Sequence, residues 1–267
     1  MYHRVAVEQF DPWELCVTPE HFADHVDVLA ASGRRVFSVT DLVAGHRAGT
    51  LPKGAIAISF DDGYIDNLRV AAPTLAQRDL PATVFVATAA MGSGRMMWWD
   101  ELGDVLGHDP AEYERRWRAM LELGEDERRG EMDSVLDGRS IAGSDDRRMM
   151  NREEVRTLDR DTTIEVGSHT VTHSSLPTLS MAARDDELRR SRHDLEELLE
   201  RRVETLAYPY GHTDASCAAA ARAAGYTAAV TTVGAPVRAA DDPLLVPRFL
   251  VPDLDGDAFA RFLAERG

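Results

Sequence analysis

Short apolar runs alternate with stretches of helical periodicity along almost the whole chain, and this alternation restricts the fold more than any other feature. Strand-like runs fall at residues 5–7, 35–39, 55–60, 83–87, 163–166, 205–208 and 228–232. Helical patterns fall between them, at 19–32, 41–48, 67–78, 152–158, 181–201, 214–224 and 257–265. A strand followed by a helix, repeated, calls for a parallel sheet, because each parallel strand needs a crossover to reach the next. This many units fit a closed or nearly closed barrel with its chemistry at the carboxyl ends of the strands. An open doubly wound sheet is the alternative.

Residues 91–150 break the rhythm. The segment opens with Gly92-Ser93-Gly94, continues through Met96-Met97-Trp98-Trp99, and is then rich in Glu, Asp and Arg with no clear strand. It reads as a mostly helical insertion on a loop following a strand, a position where insertions commonly shape a site. Within it, residues 125–148 have the composition of a mobile stretch. The charged pattern over 181–201 carries an apolar stripe of Leu188, Leu195, Leu198 and Leu199 and reads as a solvated helix face with no function assigned to it.

A net charge of −16 argues against nucleic acid or an anionic membrane as the main partner. Cys16 and Cys217 form no C-x-x-C pair, so neither a disulfide framework nor a thiolate metal knuckle is expected. No apolar run approaches the roughly 20 residues of a membrane span, and no leader pattern opens the sequence. A cytoplasmic location is the corresponding expectation.

Three motifs carry chemistry. Residues 59–64 read S-F-D-D-G-Y, with Asp61 and Asp62 directly after an apolar run. Residues 167–173 read G-S-H-T-V-T-H, so His169 and His173 lie four apart just past another strand candidate. At that spacing two imidazoles can reach one ion. Asp62 is the natural third ligand, giving a two-histidine, one-aspartate set suited to Zn2+ or another first-row divalent ion with a position left for water. Asp61 is then free to take a proton from that water, and the cation offsets the repulsion between adjacent carboxylates. Residues 206–211 read L-A-Y-P-Y-G, a rigid turn that is either a simple β-to-α connection with buried tyrosines or one whose Tyr210 N–H can bond a developing oxyanion.

Taken in order, S-F-D-D-G, H-T-V-T-H and Y-P-Y-G resemble the polysaccharide deacetylases, also called NodB-homology proteins or carbohydrate esterase family 4. The resemblance runs from Tyr2-His3-Arg4 to Pro247-Arg248 and implies a single domain with a distorted (β/α)7 barrel and metal-dependent removal of acetyl from an N-acetylated sugar or glycan. By matching position, it implies Asp61 as catalytic base, Asp62, His169 and His173 as metal ligands, and Tyr210 as the residue whose backbone helps hold the oxyanion. Two departures stand out. Many members have an arginine in the third motif that orients the catalytic aspartate; here Ala207 and Tyr208 precede Pro209, and Arg248 is the candidate replacement. Many also have a late Leu-x-His supplying the acid, yet no histidine follows Val246. A subgroup that includes poly-N-acetylglucosamine deacetylases begins with Tyr-His-Arg and places that histidine in the site, so His3 becomes the candidate acid. A glycan binder without turnover, or a deacylase of non-sugar amides or formamides, is the alternative function.

His21, His25, His46, His108 and His193 read as solvated, and His212 sits near the presumed rim. Trp98 and Trp99 suit either an anchor for the insertion or a sugar-stacking face.

Overall fold

The computed structural model describes residues 1–139, 145–160 and 163–266. Its centre is a five-stranded parallel sheet of Ser59–Phe60, Ala82–Val86, Ile164–Ser168, Thr205–Ala207 and Ala228–Val230, ordered as in the sequence. Because neighbours in space are neighbours in sequence, the sheet winds in one direction, as a barrel does. A doubly wound sheet would reverse at a switch point. Single parallel bridges extend the two edges, Tyr2 beside Phe60 and Val246 beside Val230.

Those bridges close the ring. The Met1 amine donates to Phe249 O at 2.9 Å, and Val251 N donates to Met1 O at 3.1 Å. Residues 1–2 and 246–251 thus lie side by side between the last strand and the first. The product is a distorted parallel (β/α) barrel, matching the expected class. All five residues of Ala82–Val86 are buried, as expected of a parallel strand covered on both faces. Phe60, Val84 and Val166 pack with Phe22, Val26 and Leu75 in the largest apolar cluster, between sheet and outer helices.

Local differences from the sequence reading have physical causes. The run 55–60 divides: Ile56–Ala57 pairs with Val36–Phe37, while Ser59–Phe60 pairs with Thr83 and Val84. One apolar run serves two ladders because the strand changes partner as the barrel curls. The stretch 67–78 begins with a π-turn over Asn67–Ala71 before the α-helix Ala72–Ala76. Pro73 has no N–H to continue the ladder at that point, which accounts for the shift. A two-residue strand, Cys16–Val17, pairs with Arg4–Val5 and is too short to show a period in the sequence.

His25 is a correction: it is buried, not solvated. Its Nε2 donates to Leu254 O at 2.7 Å, its Nδ1 accepts from the Tyr2 hydroxyl at 3.2 Å, and its ring stacks 4.0 Å from Phe259. On the helix Pro19–Ala31 it shares the inward face with Phe22, Val26 and Leu29, a spacing of three and four that the sequence already displays.

Between Met91 and Met150 the chain forms the helices Trp98–Leu106, Pro110–Leu121 and Glu125–Leu136. Of the stretch 125–148 read as mobile, residues 140–144 lie outside the described residues. The excursion starts and ends in one place. Gly92 N donates to Met150 O at 3.3 Å, and Met150 N donates to Gly63 O at 3.0 Å, next to Asp61 and Asp62. No helix among the described residues is long and apolar enough to cross a membrane.

Candidate metal centre and active site

The five-strand sheet delivers its functional residues from one end. Asp61 and Asp62 follow Ser59–Phe60, His169 follows Ile164–Ser168, and Tyr210 sits in the turn Pro209–Gly211 just past Thr205–Ala207. The ligand atoms of Asp62, His169 and His173, all buried, lie within 4.8 Å of one another. Asp62 Oδ1 is 3.4 Å from His169 Nε2 and 3.2 Å from His173 Nε2, and the two Nε2 atoms are 3.1 Å apart. The His169 Nδ1 lies 2.8 Å from Ala207 O and can only donate to it. That fixes the tautomer and leaves the Nε2 lone pair facing the cluster. Asp62 Oδ2 and His173 Nδ1 are buried with no hydrogen-bond partner among the described residues. An unsatisfied carboxylate oxygen beside converging imidazole lone pairs fits a first-row divalent cation.

The backbone is strained where it presents these groups. Asp62 has φ +75°, Thr170 +65°, His173 +55° and Tyr210 +58°, left-handed values that non-glycine residues seldom adopt and that cost about 1–3 kcal/mol each. Such conformations persist only where surrounding contacts hold them. Gly211 is part of that support. It has φ +70°, and a Cβ there would come within 1.9 Å of Thr232 Oγ1. Gly211→Ala is therefore expected to lower unfolding free energy by about 1–3 kcal/mol in urea denaturation, with Tyr210 displaced. An unchanged midpoint would contradict this reading of the turn.

Asp61 stays outside the ligand cluster and has its own partner. Arg248 Nη1 and Nη2 donate to Asp61 Oδ1 and Oδ2 at 2.8 and 2.7 Å. Arg248 is itself fixed by Nε to Thr231 O at 2.9 Å and Nη1 to Ser59 Oγ at 3.0 Å. Burial pushes the Asp61 carboxyl up, but the Arg248 charge and its paired donors outweigh that and bring it to about 2. Arg248, the sequence candidate for the place of the arginine absent from the third motif, thus lies against Asp61 from a distant segment.

A cleft of about 300 Å³ opens over these groups, and His3, Tyr210 and His212 line it. His3 therefore lies on the wall of the same cleft as Asp61 and Asp62. Burial lowers the His3 pKa, with Asp62 and Asp61 pulling the other way. His212 Nδ1 lies 3.0 Å from Ser175 Oγ at the rim. Trp99 is buried, donates from Nε1 to the Tyr64 hydroxyl at 3.1 Å, and sits 4.9 Å from the His173 ring, so it anchors the excursion against a candidate ligand. Trp98 is half-buried and donates to the Tyr210 hydroxyl at 3.3 Å. Sequence reasoning missed Trp13 and Trp117, which also line the cleft, their rings 4.3 Å apart. They come from an N-terminal loop and the helix Pro110–Leu121, and no motif marks either one.

The profile of the polysaccharide deacetylases matches residues 48–229, well over half of the 267. The chain belongs to that family. The resemblance carried by the three motifs is borne out, and so is the fold it implied. No curated protein matches this deacetylase. Among solved structures it is similar to the Streptococcus pyogenes deacetylase PplD in complex with acetate, at 21% identity and TM-score 0.72, covering 98% of this chain and 96% of that one. IcaB from Ammonifex degensii is similar at 21% identity and TM-score 0.69, covering 98% and 93%. A de-N-acetylase from Aggregatibacter actinomycetemcomitans is similar at 16% identity and TM-score 0.64, covering 98% and 95%. At these identities the likeness concerns the fold.

Proposed function

We propose that this polysaccharide deacetylase is a metal-dependent hydrolase that removes the N-acetyl group of an amino sugar, its substrate being an N-acetylated glycan or sugar conjugate. The observation that carries the reading is the convergence of Asp62, His169 and His173 beside a carboxylate that an arginine holds apart. Descriptions of structural relatives as a deacetylase with acetate and as a de-N-acetylase support the same chemistry.

Asp62, His169 and His173 would hold the ion, with zinc the best match to one carboxylate and two imidazoles. When bound, such an ion polarises the amide carbonyl and lowers the pKa of water. The remaining work belongs to the protein's own groups. Asp61, kept ionised and oriented by Arg248, takes the proton of the attacking water. The Tyr210 N–H, in a turn locked by Pro209 and Gly211, donates to the oxygen that becomes negative as the carbonyl carbon turns tetrahedral. His3, on the cleft wall, gives the proton that lets the amine leave. His3 suits this step by its place on the cleft wall beside Asp61 and Asp62.

The experiment follows acetate release from an N-acetylglucosamine oligomer by the zinc-loaded protein. We expect turnover that a chelator abolishes and added zinc restores, and that zinc fails to restore in His173→Ala. Tight oligomer binding without acetate release would favour a glycan-binding protein instead, and turnover indifferent to chelator would remove the metal from the mechanism.

A further inference from the structure

The helix Met181–Leu199 looks from its sequence like a solvated charged helix, yet its inner side meets the segment that carries two candidate ligands. Glu187 Oε2 accepts the backbone N–H groups of Val171 at 2.8 Å and Thr172 at 2.9 Å, and Oε1 accepts the Thr172 hydroxyl at 2.7 Å. One turn on, Ser191 Oγ accepts from the Ser168 hydroxyl at 2.9 Å. Next, Asp194 Oδ2 accepts from the Thr88 hydroxyl at 3.1 Å, and the Thr88 N–H donates to Thr170 O at 3.0 Å. Positions 187, 191 and 194 share one face of the helix. That polar row grips the chain from Ser168, just before His169, to Thr172, just before His173.

The loop requires such a grip. Thr170 and His173 both have positive φ, so the conformation that turns the two imidazoles toward each other has to be imposed from outside. Glu187 supplies the largest single share, three hydrogen bonds to two consecutive residues, and a charged acceptor makes each stronger than a neutral one. We infer that Glu187 is a positioning residue for the metal site: it holds Val171 and Thr172, and so sets where His169 and His173 present their Nε2 atoms. The inference rests on the metal-site reading above.

Zinc affinity of the folded protein, measured by competition with a chromogenic chelator, is the readout. A contact that merely stitches helix to loop would leave it unmoved. Glu187→Ala should bind zinc about 10–100-fold more weakly, the range typical of residues that orient metal ligands, with far-UV dichroism unchanged. Glu187→Gln, which retains one carbonyl acceptor, should fall between, and it carries the test if the alanine variant does not fold. Asp186→Ala, on an exposed residue paired with Arg190, should bind as wild type does. A folded Glu187→Ala or Glu187→Gln with zinc affinity within about twofold of wild type, below the usual cost of losing such a group, overturns the inference alone. Wild-type protein lacking a zinc site that His169→Ala removes overturns it together with the metal reading.

Discussion

Asp61→Asn should lower the rate of acetate release by about 10²–10⁴-fold, the usual contribution of a positioned general base, while zinc still binds at wild-type stoichiometry. The separation of roles produces this split. Asp61 makes no contact with His169 or His173 through its hydrogen bonds; both of its oxygens go to Arg248. Asp62 alone faces the imidazoles. An amide of the same shape leaves the ligand set intact but cannot accept the proton. It also turns one donor-bearing nitrogen toward the Arg248 guanidinium and leaves a buried cation without its counter-charge, which costs about 3–5 kcal/mol of stability. Rates therefore belong at a temperature well below the variant's own unfolding transition. A folded Asp61→Asn releasing acetate within a few-fold of wild type would mean that the proton goes elsewhere.

The fold and the convergence of the candidate ligands are legible because each leaves a short-range trace. Parallel strands buried on both faces, such as Ala82–Val86, appear as unbroken apolar runs. The candidate ligands adjoin strand ends and fall within two short motifs. The alternation could not decide between barrel and doubly wound sheet. That choice rests on hydrogen bonds between the first residues and positions 249–251, contacts across the whole chain that no local period encodes. Pairing of Ile56–Ala57 with one strand and Ser59–Phe60 with another was hidden for the same reason.

The supporting residues were less legible than the candidate ligands. Trp13 and Trp117 are separate in sequence and meet only because the excursion folds back over the cleft. Glu187 looks like its solvent-facing neighbours Asp185 and Asp186, and only its phase on the helix sets it apart. His25 shows the converse: its phase with Phe22, Val26 and Leu29 was visible, but the general expectation for histidine prevailed over it. Polar residues that serve a site from one shell away obey helix phase, and composition says little about them.

Arg248 ties site and fold together, and its loss should be costly to both. Arg248→Met removes both donors to Asp61 and the bonds to Ser59 Oγ and Thr231 O, with no like contact in exchange. Asp61 would remain as a buried carboxylate without a partner, so the metal-free variant should be about 3–5 kcal/mol less stable than wild type at pH 7. The sign of its pH dependence follows. In the wild type the Asp61 pKa is lowered from 3.8 to about 2, so its stabilisation is present above pH 4 and is lost as pH falls toward 2. In the variant, burial acts unopposed by the guanidinium and raises that pKa, so the penalty grows as pH rises above 4. The gap between the two proteins should accordingly narrow on acidification. Urea denaturation of both at pH 7 and near pH 4 measures it. A gap that is absent at pH 7, or that widens on acidification, would show that the Arg248–Asp61 pair is not what holds this carboxylate. Acetate release should fall with the stability, because an Asp61 that is neither fixed nor fully ionised is a poorer base. Arg248→Lys should recover part of both losses: it returns the charge without the two-pronged geometry.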